Sequence, residues 1–337
     1  MNNKDVAMRW LALPLLLAVA AIAVAAIDRG GVARGIVANG HIRDIGTLRV
    51  AGVDYDVSQA KIVIDGVPGA ASELRQGQLV ELRDIVYTHA STGPETLPTV
   101  GLVTFRDAVQ GPIDQIRING DGTAQLTVLG QLITVNRRTR ISPELGNGFS
   151  RFQLNQRIEV SGYAGLSGRL LATRIDPAPA GAFEVTGEVV AVRGDHLVIG
   201  DQLVDFSRAV VTGFGPFKPR RGDWVEVRGV LQRPVLKAIG VSREDRGLRG
   251  EPLQEIDIEG LVTDVKPLVG RFEVDGTPIE LTEKTVFIGG SFDDVIAGRL
   301  IEVEGEYDEY GRLVRARHVR IGEPSSIEQD GVGAVAR

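Results

Sequence analysis

Apolar residues in this chain alternate with polar ones over short runs, and glycine-containing turns break the runs. Period two is the signature of strands with one face in a core, and turns at this frequency point to an all-β protein. The pattern repeats. A β-patterned segment around a glycine recurs at Gly35, Gly111, Gly187 and Gly260, a step of about 75 residues, which marks a repeat architecture. A ten-residue hairpin pattern follows each time, at 48–57, 126–135, 197–206 and 272–281, with apolar residues first, third and tenth. Its fifth position is Gly52, Gly130, Asp201 and Gly276, residue types that tolerate the positive φ of a two-residue turn.

Two more strands complete each unit. One reads apolar-Glu-apolar, placing Glu81, Glu159, Glu226 and Glu302 at equivalent positions. The other closes the unit at 168–175, 234–241 and 311–319, with a weaker counterpart near 99–105. Between hairpin and Glu strand, 71–77 and 291–298 are expected to form single helical turns capped by Ser72 and Ser291. Strand, hairpin, short helix, strand, strand is the order of a five-stranded Greek-key barrel of the OB type. The expected organisation is four tandem small OB-like five-stranded barrels after an N-terminal hydrophobic helix: repeats at 32–105, 111–176, 183–243 and 256–321, and a disordered tail at 322–337.

These residues resemble a bacterial family known only as domain of unknown function 5666. The resemblance lies in Gly187-Glu188-Val189, Phe272 to Gly276, Gly222 to Gly229 and Ala172 to Ile175, and extends over about residues 33–321. It implies exported proteins built of repeated barrels and assigns no activity. The first repeat departs most, with Asp84 where the Glu strand otherwise ends in glycine.

The N-terminus bears on location. Lys4 and Arg9 precede an unbroken apolar run from Leu11 to Ile27, ended by Asp28 and Arg29. A basic flank before an apolar stretch directs export and keeps the basic side in the cytoplasm. The run reaches roughly 26 Å as a helix, the short limit of a span. Ala23-Val24-Ala25 offers a cleavage site, so residues 1–31 read equally as a cleaved signal peptide or a membrane anchor held through residues 10–27. Either way the repeats are expected outside the cytoplasm, in the periplasm or anchored at the inner membrane. There are no cysteines, which excludes disulfides, thiolate chemistry and a lipid-modified cysteine.

Composition narrows function by exclusion. No nucleophile elbow, phosphate loop, zinc-helix motif or dinucleotide fingerprint is present, so no enzyme and no cofactor are expected. His41, His89, His196 and His318 lack metal-ligand spacing, and the turn chemistry of Asn119-Gly120-Asp121-Gly122 accounts for its likeness to a calcium loop. The Arg221-Gly222-Asp223 tripeptide sits at a turn where glycine recurs as Gly77 and Gly298, so structure explains it. A formal charge of −6 and 5% aromatics argue against a nucleic-acid ligand. Charge is uneven: residues 111–176 carry eight Arg/Lys against five Asp/Glu, 183–243 nine against seven, and 256–321 eight against fourteen. The repeated glutamates are expected to point outward and to pair with closing-strand arginines such as Arg174 and Arg317. One loop stands out. Phe214, Phe217, Lys218, Arg220, Arg221 and Trp224 interleave aromatics with cations, the pattern of a surface for an anionic glycan or nucleic acid. The expectation is a non-enzymatic cell-envelope scaffold or binding module, its partner an envelope protein or polymer, with four barrels in line reaching on the order of 100 Å. The alternative is an anionic-polymer binder acting through the third repeat.

Overall fold

The computed structural model describes residues 33–44, 48–87, 97–146, 148–165 and 168–322. The expected N-terminal helix and C-terminal tail lie outside them. Among the described residues no helix is long and apolar enough to cross a membrane.

The protein is all-β. Repeat 1 contributes β1 (Ala33–His41), β2 (Leu48–Val50), β3 (Val53–Tyr55), β4 (Lys61–Ile64), β5 (Val67–Gly69), β6 (Leu79–Tyr87) and β7 (Leu102–Phe105). Repeat 2 contributes β8 (Val109–Ile118), β9 (Ala124–Val128), β10 (Gln131–Val135), β11 (Arg140–Ile141), β12 (Arg157–Ala164) and β13 (Arg169–Pro177). Repeat 3 contributes β14 (Phe183–Arg193), β15 (His196–Ile199), β16 (Gln202–Asp205), β17 (Val210–Thr212), β18 (Trp224–Gln232) and β19 (Val235–Glu244). Repeat 4 contributes β20 (Glu255–Lys266), β21 (Arg271–Val274), β22 (Thr277–Glu280), β23 (Val286–Ile288), β24 (Leu300–Tyr307) and β25 (Val314–Ile321).

Closed five-strand barrels recur in two sheets. In repeat 2, β8 pairs β9, β9 pairs β10, β10 runs parallel to β13, β13 pairs β12, and β12 returns to β8. Repeat 3 closes in the same order through β14, β15, β16, β19 and β18. Repeat 4 does so through β20, β21, β22, β25 and β24. Closure pairs each of these five strands on both sides, which limits the exposed edges that are the usual liability of a small β unit. Repeat 1 differs: β1 pairs β6, β6 pairs β7 and β7 runs parallel to β4, while the β2–β3 hairpin forms a sheet of its own.

The repeats are not strung in a row. β8 pairs β14, joining repeats 2 and 3 in one 12-stranded sheet. Residues 37–39 of β1 pair in parallel with 256–258 of β20, joining repeats 1 and 4 in an 11-stranded sheet. First and last repeats are therefore neighbours, and the described residues from 33 to 322 fall in one compact unit, which corrects the expectation of four barrels in line. One apolar core spans repeats 2 and 3, from Val109 through Ile158 and Val189 to Val241. Repeats 1 and 4 each have their own, centred on Leu82 and Val103 and on Ile258 and Val303. Tyr163, Leu171 and Leu261 form a fourth cluster with Leu79 and Leu300, where repeats 1, 2 and 4 meet.

All four hairpins form with two-residue turns, Ala51-Gly52, Leu129-Gly130, Gly200-Asp201 and Asp275-Gly276. Three have positive φ at both turn residues, the I′ pattern, with Gly52 at 82°, Gly130 at 68° and Gly276 at 79°. In repeat 3 positive φ falls on Gly200 (56°) and not on Asp201. Glycine at the first turn position is the II′ solution, so the expected positive φ at Asp201 is corrected by one residue. Direct cross-strand partners are Leu48/Tyr55, Leu126/Ile133, Leu197/Val204 and Phe272/Ile279, while Val50/Tyr55, Val128/Ile133, Ile199/Val204 and Val274/Ile279 are diagonal neighbours. Gly276→Val is expected to cost about 1–2 kcal/mol or more, and Gly276→Asn much less, in chemical denaturation. A Cβ there also presses on Arg246 Cγ at 2.4 Å, so the valine variant is expected to displace that side chain.

The single helical turns appear as 3-10 turns at Ala71–Glu73 and Phe292–Asp294. Ser291 caps the second, with its N–H donating to Asp294 Oδ2 at 2.9 Å. Ser72 does not cap the first: the chain enters at Ala70, whose N–H donates to Glu73 Oε2. The repeated glutamates do leave their own barrels, but neighbouring barrels cover several of them. Glu302 is only 8% exposed. Pairing also differs in detail. Glu302 accepts from Arg320 at 2.8 Å, Arg317 donates to Glu255, and Arg174 pairs with Asp176 beside Glu159.

Candidate functional site

Repeats 1, 2 and 4 form an open cleft of about 990 Å³ at their junction, lined by both polar and apolar groups. Its floor comes from strand residues. His41 ends β1, Tyr163 sits on β12, and Glu259 lies on β20 directly opposite Glu302 on β24. His41 Nδ1 is 3.0 Å from the Tyr163 hydroxyl and 3.1 Å from Glu259 Oε2, and Arg43 donates to Glu259 Oε1 at 3.1 Å. Glu259 Oε2 lies within ion-pair reach of the imidazole yet off hydrogen-bond geometry, and it is buried. Gly40 permits this packing, since a Cβ there would stand 3.0 Å from the same oxygen.

Electrostatics follow from this burial. Burial alone would raise the Glu259 carboxyl, but the adjacent His41 imidazole and Arg43 guanidinium bring it below its ordinary value. Burial and the Glu259 charge push the Tyr163 hydroxyl well up, so it remains a hydrogen-bond donor. Burial alone would lower Arg43, but Glu259 and Glu302 more than offset it. Burial raises Glu302, with Arg320 opposing.

One wall is a turn in repeat 2. Asn136 Oδ1 accepts from the Arg138 N–H at 2.8 Å, and Thr139 Oγ1 donates to Ala172 O at 2.8 Å. This side-chain-to-backbone turn fixes the loop while Arg137, Arg138 and, one residue beyond it, Arg140 are exposed. The other repeats make related turns after their hairpins: Ser58 N–H donates to Asp56, Ser207 N–H to Asp205, and Lys284 N–H to the Thr282 hydroxyl. Their tips carry Val57-Ser58, Phe206-Ser207 and Glu283-Lys284, so the turn is common and the paired arginines are particular to repeat 2. The adjacent Asn119–Thr123 turn is held by Thr123 N–H and Oγ1 donating to Asp121 at 2.9 and 2.7 Å. These bonds, the hydroxyl's first, lower the Asp121 carboxyl.

The cleft's ionic lining is five arginines (43, 137, 138, 140 and 320) against three carboxylates (Asp121, Glu259 and Glu302), with His41 beside them. That surplus of cations stands out in a chain of net charge −6. Tyr163 is the cleft's aromatic residue, and its side chain is buried.

The loop singled out in sequence lies elsewhere, on repeat 3. Phe214 is buried in the core, as its apolar character permits, while Phe217 is 61% exposed. Three cation–π pairs form there: Arg220 stacks 4.9 Å from the Phe217 ring centre, Arg243 5.8 Å from Phe214, and Arg246 5.0 Å from Trp224. Lys218 pairs with Asp195 at 2.6 Å, and Arg221 is exposed. Sequence reading missed the cleft because its residues come from three repeats. The available signal was Arg137-Arg138 at a turn whose counterparts lack such a pair. Among the described residues no group of three or more His, Asp or Glu is placed to hold a metal ion.

No match was found among curated proteins. Solved structures with similarity include Drosophila Unr CSD456, at 13% identity and a TM-score of 0.17, covering 64% of this chain and 98% of that one. Another is a multidomain protein with nucleic acid binding domains from Streptococcus pneumoniae TIGR4, at 13% identity and a TM-score of 0.16, covering 60% and 71%. Scores this low give no ground for carrying over arrangement or ligand. The family model described as Domain of unknown function (DUF5666) matches residues 110–176 and 259–320, which are the second and fourth repeats of this chain.

Proposed function

We propose that this chain is a non-enzymatic, exported binding module of the cell envelope, built from four tandem OB-like barrels of which the first is an open variant. The arginine-rich cleft between repeats 1, 2 and 4 is its ligand site. The cleft itself carries the reading: about 990 Å³ is within the size range of ligand sites, and the barrels that form it are held by one another. Several contacts fix that frame. Leu79 N–H donates to Ser161 Oγ at 2.7 Å, and Arg174 donates to Gln76 O at 2.9 Å, both between repeats 1 and 2. Binding and not catalysis is the favoured role because, among the described residues, no activated nucleophile with its base and oxyanion donors is assembled. Export rests on the basic flank and apolar run of residues 4–27.

Hydrogen-exchange mass spectrometry with a panel of envelope polymers tests the site. Protection is expected in 41–43, 121–123 and 136–140. Protection confined to 214–224 would instead support the second reading, an anionic-polymer surface on repeat 3, which rests on exposed Phe217 and its stacked Arg220. On that reading Phe217→Ala with Arg220→Gln should weaken binding about tenfold. On the cleft reading that pair should change nothing.

A further inference from the structure

We propose that the cleft takes an acidic glycan, a sugar chain bearing carboxylate or sulfate groups, gripped by Arg137 and Arg140; this rests on the cleft being the ligand site. Three observations point to this class. First, the exposed cations are arginines, whose planar forks match carboxylate and sulfate oxygens two at a time. Arg137 and Arg140 are exposed on the repeat 2 wall, and the Asn136 and Thr139 hydrogen bonds hold their turn before any ligand arrives. Preorganisation lowers the entropy lost on binding.

Second, the cleft is mixed and not uniformly cationic. Asp121 and Glu302 line it with the arginines, and Gln76 and Asn136 add neutral amides. A phosphate at every step would meet these carboxylates with repulsion. A chain that alternates anionic groups with hydroxyls meets both signs, because its hydroxyls donate to carboxylates and amides.

Third, the cleft offers no exposed Phe, Tyr or Trp ring among the described residues. Single-stranded nucleic acid binds by laying bases on exposed aromatic rings. The aromatic residue lining this cleft is Tyr163, and it is 1% exposed. The hydroxyls and anionic groups of a sugar chain can be held by hydrogen bonds to arginines, amides and carboxylates.

Calorimetric titration of the full chain with four probes tests the proposal: a uronate hexamer, a sulfated oligosaccharide of equal length, a neutral glucan hexamer and oligo-dT. The uronate or the sulfated oligomer should bind, weakening as salt rises, and the two arms tell carboxylate from sulfate recognition. Arg137→Gln with Arg140→Gln should weaken that binding about 10- to 100-fold, since two charge-assisted contacts are lost. Both residues are exposed, so the variant should fold; an unchanged circular dichroism melt checks this. Arg193→Gln with Arg208→Gln, exposed on repeat 3, removes the same charge elsewhere and should leave affinity within about twofold. Oligo-dT bound more tightly than either acidic sugar, with loss in the cleft variant, would overturn the glycan and keep the cleft. Acidic-sugar binding that both variants weaken equally would overturn the cleft as the site. Absence of binding by both acidic oligomers would overturn the glycan proposal.

Discussion

Gly130→Ala is expected to destabilise the protein by about 3 kcal/mol or more in chemical denaturation, and to loosen repeat 2 from repeat 3. Two costs add at this one position. Gly130 has φ of +68°, where an L side chain costs about 1–2 kcal/mol. Its Cβ would also lie 2.2 Å from Gln202 N and 2.6 Å from Asp201 C, which are backbone atoms of another barrel. Backbone cannot rotate aside as a side chain can, so the hairpin tips must part. Parting them breaks the bond from Asp201 N–H to Gly130 O at 3.0 Å and the one from buried Gln131 Nε2 to Ile199 O at 3.0 Å. Gly52→Ala isolates the first cost, because φ there is +82° and the nearest atom to an added Cβ is 4.0 Å away. If Gly130→Ala costs no more than Gly52→Ala, the two hairpin tips do not clasp in solution.

That comparison also shows what sequence could and could not reveal. The hairpins were legible because a two-residue turn needs left-handed backbone, and glycine or aspartate at fixed spacing signals it. Aligning the fifth position then misplaced the special residue in repeat 3, since Gly200 precedes Asp201 and the II′ turn puts positive φ first. Closure of repeats 2, 3 and 4 followed from their five-strand order. The β1–β20 pairing did not, because it runs through backbone N–H and C=O groups that every sequence carries. The outward glutamates show the same limit. Alternation tells which face a side chain takes but not what covers that face. Glu302 and Glu184 leave their own barrels and are nonetheless buried, one at the repeat 1–4 contact and one near the segment linking repeats 1 and 2.

Such burial predicts that this protein is more stable at pH 5.5 than at pH 8. Asp65 of the β4–β5 turn in repeat 1, Asp107 of the segment between repeats 1 and 2, Glu159 and Asp176 of repeat 2, and Glu184 and Glu226 of repeat 3 influence one another's charges at one junction. Burial first, then Glu226, raises Glu184 to about 7 even though Arg228 lies 2.8 Å from it. Burial and Asp176 raise Glu159 to about 7 as well, and burial with Glu159 pushes Asp107 well above the usual carboxylate range. An unfolded glutamate titrates near 4.5. The native state therefore holds these protons more tightly than the unfolded chain does. Their stabilising effect is complete below pH 4.5 and is lost as pH rises through 7, on the order of 2 kcal/mol for Glu184 alone. Glu259 and Asp308 act in the opposite sense, since both are lowered and their stabilisation fades as pH falls below the ordinary carboxylate range. Stability should thus peak in mildly acidic solution. Glu184→Gln places a neutral group where the protonated acid stood. It should raise the urea midpoint at pH 8, leave it nearly unchanged at pH 5, and flatten the profile between. A wild-type midpoint that rises from pH 5.5 to pH 8, or a glutamine variant weaker than wild type at pH 8, would show that Glu184 is charged and satisfied in the native protein.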